Sequence, residues 1–170
     1  MILRPAEADD FAFIHQLCLD PAYAPFITDE PDAVLAAYLQ NPLIALLILE
    51  EEDGSRGGFA LYEGNGHGVT ELRRLALAQT GGGRGRAFLS YLVDYGFAVL
   101  GAERLWLDAS GENPRAMKTY EAVGFKREGI LRDHWYRPAL GRRVDMHLFG
   151  ILRSEWQAQS CGAAAQGIHS

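Results

Sequence analysis

The stretch Leu75–Leu92, LALAQTGGGRGRAFLSYL, places four glycines, Gly81, Gly82, Gly83 and Gly85, between an apolar run and a segment with helical spacing of its apolar residues. Each glycine adds chain entropy that folding must remove, so such a cluster needs a reason in the backbone itself. A glycine loop that opens a helix exposes several N–H groups, and the helix dipole adds positive potential there. Phosphate or pyrophosphate suits that arrangement, with Arg84 and Arg86 adding charge; a plain flexible connection is the bland alternative.

Working outward, the chain reads as a strand over "MILRPA" and a helix over "ADDFAFIHQLCL" capped by Asp9 or Asp10. A second helix, "DEPDAVLAAYLQN", has Pro31 in its first turn. "LIALLILEE" and "GGFALYEG" follow as strands joined by a hairpin-like connection, and "VTELRRLALA" is a third. Beyond the loop, "RAFLSYLVDYGFAVLG" is a helix stopped by Gly101 and "RLWLDAS" a strand. "NPRAMKTYEAVG" is a helix with Asn113 as cap, Pro114 at its first position and Gly124 at its end. Two long strands around a turn near Gly141 then run to Trp156. This order predicts an α+β domain with a strand–loop–helix at its centre. We expect a single domain over 1–156 and a frayed tail over 157–170.

Composition excludes several classes. With 170 residues, 48% of them hydrophobic, the chain suffices for one compact core. "PLIALLILE" falls well short of the ~20 residues that span a bilayer, and the N-terminus lacks a signal-peptide pattern. A cytoplasmic protein without a membrane partner is expected. Cys18 and Cys161 lie far apart and the five histidines are scattered, so neither a disulfide framework nor a metal is expected. Net charge of −6 argues against nucleic-acid binding. The charge is uneven: residues 1–64 hold 12 acids and 2 bases, residues 65–170 hold 10 acids and 14 bases. The glycine loop sits in the basic part, where an anion would be drawn.

A Walker A loop requires lysine and then serine or threonine after its last glycine, and here Arg86 and Ala87 follow. A dinucleotide turn fits only with alanine in its last position, after a meander rather than a parallel series, although Asp108 at the end of the next strand keeps that alternative open. The loop, followed by "RLWLDASGENPRAMKTYEAVGFKREGILRD", resembles the GNAT N-acetyltransferase superfamily. Within it, the segment from about Glu71 to Trp156 is similar to the branch that contains the ribosomal-protein alanine N-terminal acetyltransferases. The family's glycine pattern falls on Gly81, Gly83 and Gly85. Its second signature falls on Asn113, Ala116, Tyr120, Glu121, Gly124 and Phe125. Thr80 departs from the basic or amide residue that the family commonly places before the first glycine, a role left to Arg84 or Arg86.

The resemblance implies a mixed, mostly antiparallel sheet with helices on both faces and a splayed pair of parallel strands. It implies acetyl-CoA as acetyl donor, bound along Leu75, Ala76 and Leu77, then Thr80 to Arg86, with Asn113, Ala116 and Tyr120 on the other side. Acetyl transfer to an amine needs a base, because an alkyl amine of pKa ~10.4 is almost wholly protonated at neutral pH. It also needs a donor for the developing oxyanion and an acid for the leaving thiolate. The resemblance places these roles on Glu71, on the backbone near Leu77 and on Tyr120, with direct attack in a ternary complex. His134, Asp133 and Tyr136 stand in reserve for the base. The acidic N-terminal part, including Asp29, Glu30 and Asp32, favours a cationic acceptor: a small-molecule amine or a protein N-terminus. The other reading of the same loop is a non-catalytic acyl-CoA sensor. A monomer or homodimer is expected.

Overall fold

The computed structural model describes residues 2–166. Its strands are β1 (Ile2–Pro5), β2 (Ile44–Glu50), β3 (Arg56–Gly64), β4 (Val69–Leu77), β5 (Arg104–Ser110), β6 (Lys126–Arg137) and β7 (Arg142–Leu152). The helices are α1 (Phe11–Leu19), α2 (Asp32–Gln40), α3 (Arg84–Ala98), α4 (Pro114–Val123) and α5 (Arg153–Gln166). The strands form one seven-stranded sheet in the order β1-β2-β3-β4-β5-β7-β6. All pairs are antiparallel except β4–β5.

Helices cover both faces of the sheet. Leu47 and Leu49 of β2 pack in the cluster that holds Phe88, Leu92, Met117 and Phe149, while Leu46 and Ile48 pack with Phe11, Ile14 and Leu35. A strand buried on both faces has no polar side to present, which is why "ALLIL" is continuously apolar. Tyr62, fully buried in β3, donates its hydroxyl to the Leu92 carbonyl of α3 at 2.7 Å, satisfying a polar group that the core would otherwise penalise.

The capping chemistry of α4 is as read from the sequence. Asn113 Oδ1 accepts from the Ala116 amide at 3.1 Å, Pro114 follows, and Gly124 closes the helix at φ 107°. The cap expected for the first helix is different. Asp10 is 1% exposed and makes no cap bond to α1. It accepts instead from Arg4 at 2.7 and 2.9 Å, from Arg56 Nε at 2.6 Å and from the Glu7 amide at 2.8 Å, in a single 3-10 turn ahead of α1. A short carboxylate beside two guanidiniums from β1 and β3 gains more as an ion-pair centre than as a cap. Asp10→Asn should therefore cost about 1–3 kcal/mol of stability at neutral pH, because the buried carboxylate loses its charge-assisted bonds to the two partly exposed guanidiniums. The arginines hold the Asp10 carboxyl well below the usual carboxylate range. Its contribution is thus fully present above pH ~4 and declines as acid protonates the folded form. Urea titrations of both proteins at pH 7 and pH 3 measure the gap, which should narrow at the lower pH.

The domain end expected at Trp156 falls inside α5, which continues to Gln166; the last four residues of the expected tail lie outside the described residues. Cys18 is buried, and desolvation pushes its thiol up to about 12. Among the described residues no helix is long and apolar enough to cross a membrane, and no group of His, Cys, Asp and Glu is arranged for a metal ion.

Candidate active site

The parallel contact between β4 and β5 lasts only three pairs, Val69–Arg104, Thr70–Leu105 and Glu71–Trp106. The cause lies in β4. Leu61 of β3 faces Arg74 and Tyr62 faces Leu72, so Arg73 is one extra residue without an opposite number. Such a bulge bends its strand and increases its twist. Beyond it the two strands part, and between them opens a cavity of about 950 Å³.

The same bulge decides which backbone groups face the opening. The Ala78 amide bonds back to Gly57 on β3, so strand alternation turns the N–H and C=O of Leu77 and Leu75 toward the splay. The Leu77 groups are already taken: its N–H donates to the Tyr23 hydroxyl at 3.1 Å, and that hydroxyl donates to the Leu77 carbonyl at 2.9 Å. The Leu77 amide, expected as the oxyanion donor, is therefore occupied, and the next amide on the same edge that turns to the opening is that of Leu75, two residues back. Tyr23 comes from the loop before α2, more than fifty residues away, and no local signal ties it to β4.

The glycine loop divides into two kinds of glycine. Gly81, Gly82 and Gly83 adopt φ of 100°, 55° and 82°, values that side chains resist, and Gly83 caps α3. Gly85 lies within the first turn of α3, with no positive φ and no protein atom near a Cβ built on it. Neither backbone strain nor packing requires glycine there. Gly85 lines the cavity, so the space a side chain would fill is the space of a ligand. Thr80, Leu75, Ala76, Leu77, Asn113, Ala116, Tyr120 and Glu71 line the same cavity. At the start of α3 the Arg84 amide returns to Gly81, and the first intrahelical bond of this turn comes from Ala87. The Gly85 and Arg86 amides thereby remain available to an anion.

The two arginines of the loop part company. Arg84 is paired with Glu51. Arg86 instead lines a second groove with Arg115, Lys118 and Thr119, and Arg115 and Thr119 line the main cavity too. Arg86, Arg115 and Lys118 have no acidic partner among the described residues, and this contiguous cationic groove can hold the phosphates of a nucleotide-bearing thioester. Arg86, with Arg115 and Lys118, thus offers the charge that Thr80 lacks. Gly81, Gly82, Gly83 and Arg84 shape the turn without lining the cavity.

Tyr120 projects from α4 into the splay. Its ring meets Phe149 edge-on at 5.5 Å and Phe125 at 6.2 Å, and its hydroxyl has no hydrogen-bond partner among the described residues. Burial and the Asp108 charge raise the phenol, so it stays protonated across any ordinary assay pH. Glu71, at the last β4–β5 pair, is pushed up to about 7, first by desolvation and then by the Asp108 charge. A carboxyl at that value is half ionised where a cell works, as a general base requires.

Of the reserve bases, His134 lines the cavity. Asp133 sits in an irregular stretch of β6 at φ 51°, its amide given to Asp145, and Tyr136 is exposed. Glu30 lines the cavity paired with Arg74 at 2.5 Å, while Asp29 and Asp32 both hold His15 at 2.7 Å. The sequence reading did not place Tyr23, Trp135 or Asp108 at the site as acceptor-side residues; all three line it.

Comparison with known proteins adds to this geometry. The family described as an acetyltransferase (GNAT) domain matches residues 1–126. A spermidine N(1)-acetyltransferase of Vibrio cholerae is 27% identical over 172 residues, covering 94% of this chain and 97% of the relative. An uncharacterised N-acetyltransferase, p20, of Bacillus licheniformis is 37% identical over 65 residues, 38% of this chain and 35% of that protein. The fold is that of the Vibrio cholerae spermidine N-acetyltransferase solved with CoA and spermine, at a TM-score of 0.82 and 23% identity, covering 92% of this chain and 97% of the other. None of these relatives is named as a ribosomal-protein alanine acetyltransferase, and that narrower branch rests on the sequence resemblance alone. At the level of the family, motif, fold and comparison agree: the chain belongs to the GNAT acetyltransferases and is an acetyl-CoA-dependent N-acetyltransferase.

Proposed function

We propose that the protein acetylates a small cationic amine of the polyamine kind by direct attack within a ternary complex. The observation that carries this reading is that one cavity, where β4 and β5 part, is lined by Glu71 and Tyr120 together with Thr80 and Gly85 from the glycine segment. The full-length relative acts on spermidine, which supports the acceptor class.

Acetyl-CoA supplies the acetyl group as a thioester. The Gly85 and Arg86 amides and the Arg86, Arg115 and Lys118 side chains hold its phosphates, and the open edge of β4 at Leu75 aligns its arm. Glu71 takes one proton from the ammonium nitrogen, leaving a lone pair free to form the N–C bond. The Leu75 amide donates to the carbonyl oxygen as charge gathers there. As the C–S bond breaks, the Tyr120 hydroxyl donates its proton to the sulfur and is later restored by the second proton released from nitrogen. The sum is ammonium and thioester to amide, thiol and one proton. Among the described residues no cysteine lines the cavity, Cys18 lying outside it, which favours direct attack over an acyl-enzyme.

Initial rates of thiol release, measured with both substrates varied, test this. Intersecting double-reciprocal lines with spermidine are expected. Parallel lines would refute direct attack, and no release from any amine would favour a sensor.

The base assignment predicts a pH profile. Since Glu71 must be ionised, wild-type kcat/KM should fall about tenfold per unit as pH drops below about 7. Glu71→Gln should remove that limb and lower kcat by about 10²-fold. Stability should move the other way. A carboxyl whose folded value is raised costs stability once the unfolded chain ionises first, so wild type loses stability as pH rises from ~4.3, the ordinary glutamate value, to about 7. Glu71→Gln should melt a few degrees higher than wild type at pH 8 and nearly equally at about pH 4. Differential scanning calorimetry at the two pH values reads this, and equal melting at both would remove Glu71 from its desolvated site.

A further inference from the structure

Four carboxylates line the acceptor end of the cavity, on Glu30, Glu63, Glu71 and Asp108. Two are matched inside the protein, Glu30 by Arg74 at 2.5 Å and Glu63 by Arg73 at 2.6 Å. Glu71 and Asp108 make no ion pair and accept no side-chain hydrogen bond among the described residues. Nor does the acceptor end of the wall offer Asp108 a free cation: Arg115, unpaired among the described residues, belongs to the groove it shares with Arg86 and Lys118. Arg73 and Arg74 are engaged, and Arg137, 2% exposed, gives its donors to the carbonyls of Pro25 at 2.6 Å and Ala24 at 3.2 Å.

Asp108 is placed where the reaction must occur. It stands on β5 two residues past Trp106, the last residue paired with β4, and its backbone is fixed from the other side opposite Leu148 of β7. It lines the same cavity as Glu71 and Tyr120, and its charge acts on both the carboxyl and the hydroxyl assigned as base and acid. His134, from β6, lines the same cavity, near enough for its charge to act on Asp108. A desolvated carboxylate without a partner costs stability, and a fold that keeps one beside its reacting centre has a use for the charge.

We propose that Asp108 is the acceptor-recognition residue, holding the ammonium form of the amine beside Glu71 and excluding acceptors that carry a carboxylate next to the nitrogen. A free amino acid would bring a third negative group to Glu71 and Asp108, where Arg73, Arg74 and Arg137 are engaged and Arg115 is assigned to the phosphates of the donor. An alkyl polyamine, or an amino acid whose carboxyl is masked as an amide, brings only positive charge. This inference rests on the N-acetyltransferase reading above.

The test compares wild type, Asp108→Asn and Asp108→Glu on spermidine, n-butylamine, leucinamide and leucine. Steady-state kinetics are joined to calorimetric titration of each amine into the CoA-bound protein. Wild type should accept leucinamide and reject leucine. Asp108→Asn should raise KM and calorimetric Kd for the cationic amines by about tenfold to a hundredfold, with kcat changed less and acetyl-CoA KM unchanged. Asp108→Glu should recover part of the loss. Unchanged amine affinity in Asp108→Asn, on a wild type that turns these amines over, overturns this inference alone. An equal loss of acetyl-CoA affinity assigns Asp108 to shaping the splay and overturns it too. A wild type that acetylates none of the amines overturns the catalytic reading instead, a distinct result.

Discussion

Replacing Gly85 by aspartate is expected to abolish coenzyme A binding while leaving the protein at least as stable as wild type. The two halves of that outcome come from separate features. Gly85 has no positive φ, lies in the first turn of α3 and has open space where a Cβ would stand, so a side chain meets no protein atom. Removing glycine from a helix contributes up to about 1 kcal/mol, and an acid in the first turn adds about 0.3–1 kcal/mol through the helix dipole. In the cavity the same carboxylate fills the space beside the Gly85 and Arg86 amides and repels phosphate. We expect Kd for CoA to rise more than a hundredfold by calorimetry, with a melting temperature unchanged or higher. Wild-type affinity in this variant would place the diphosphate elsewhere. The neighbouring Gly83→Ala is the contrasting case: φ of 82° strains any side chain, so that variant should lose about 1 kcal/mol of stability.

Tyr120→Phe should lower kcat by about 10²–10⁴-fold and leave CoA affinity where it was. The phenyl ring keeps its contacts with Phe125 and Phe149, and the lost hydroxyl has no partner among the described residues, so the fold should not register the change. What disappears is a proton donor at the leaving sulfur. Because burial raises the phenol, wild-type activity should show no alkaline decline attributable to Tyr120 up to pH ~10, its ordinary value. Stopped-flow single turnovers separate the chemical step from product release. A single-turnover rate equal to wild type would take Tyr120 out of the mechanism.

The parts of the site that were legible in the sequence are those whose signal is local. Asn113, Pro114 and Gly124 bound a helix through caps that act over three or four residues, and the signature they frame delivers Tyr120 with it. The glycines announce a turn because positive φ is a property of single residues. Asp10 misled for the same reason in reverse: a short acid before an apolar run fits a cap, and its true partners, Arg4 and Arg56, are chosen by strand pairing rather than by spacing. The helix α5 was missed because its small residues carry no apolar stripe, although alanine and glutamine in "QAQSCGAAAQ" favour a helix by propensity.

By itself, the sequence determined the element order from β1 to β7, the glycine turn at the start of α3 and the family signature, because caps, periodicity and φ preferences are written over a few neighbouring residues. Only the tertiary structure decided that β4 and β5 part after Glu71, that Tyr23 occupies the Leu77 amide while Leu75 turns the same edge to the opening, and that Asp108 lines one cavity with Glu71 and Tyr120 with no ion-pair partner among the described residues. One unmatched residue, Arg73, shifts the alternation of everything after it, and whether a residue is unmatched depends on the strand it pairs with.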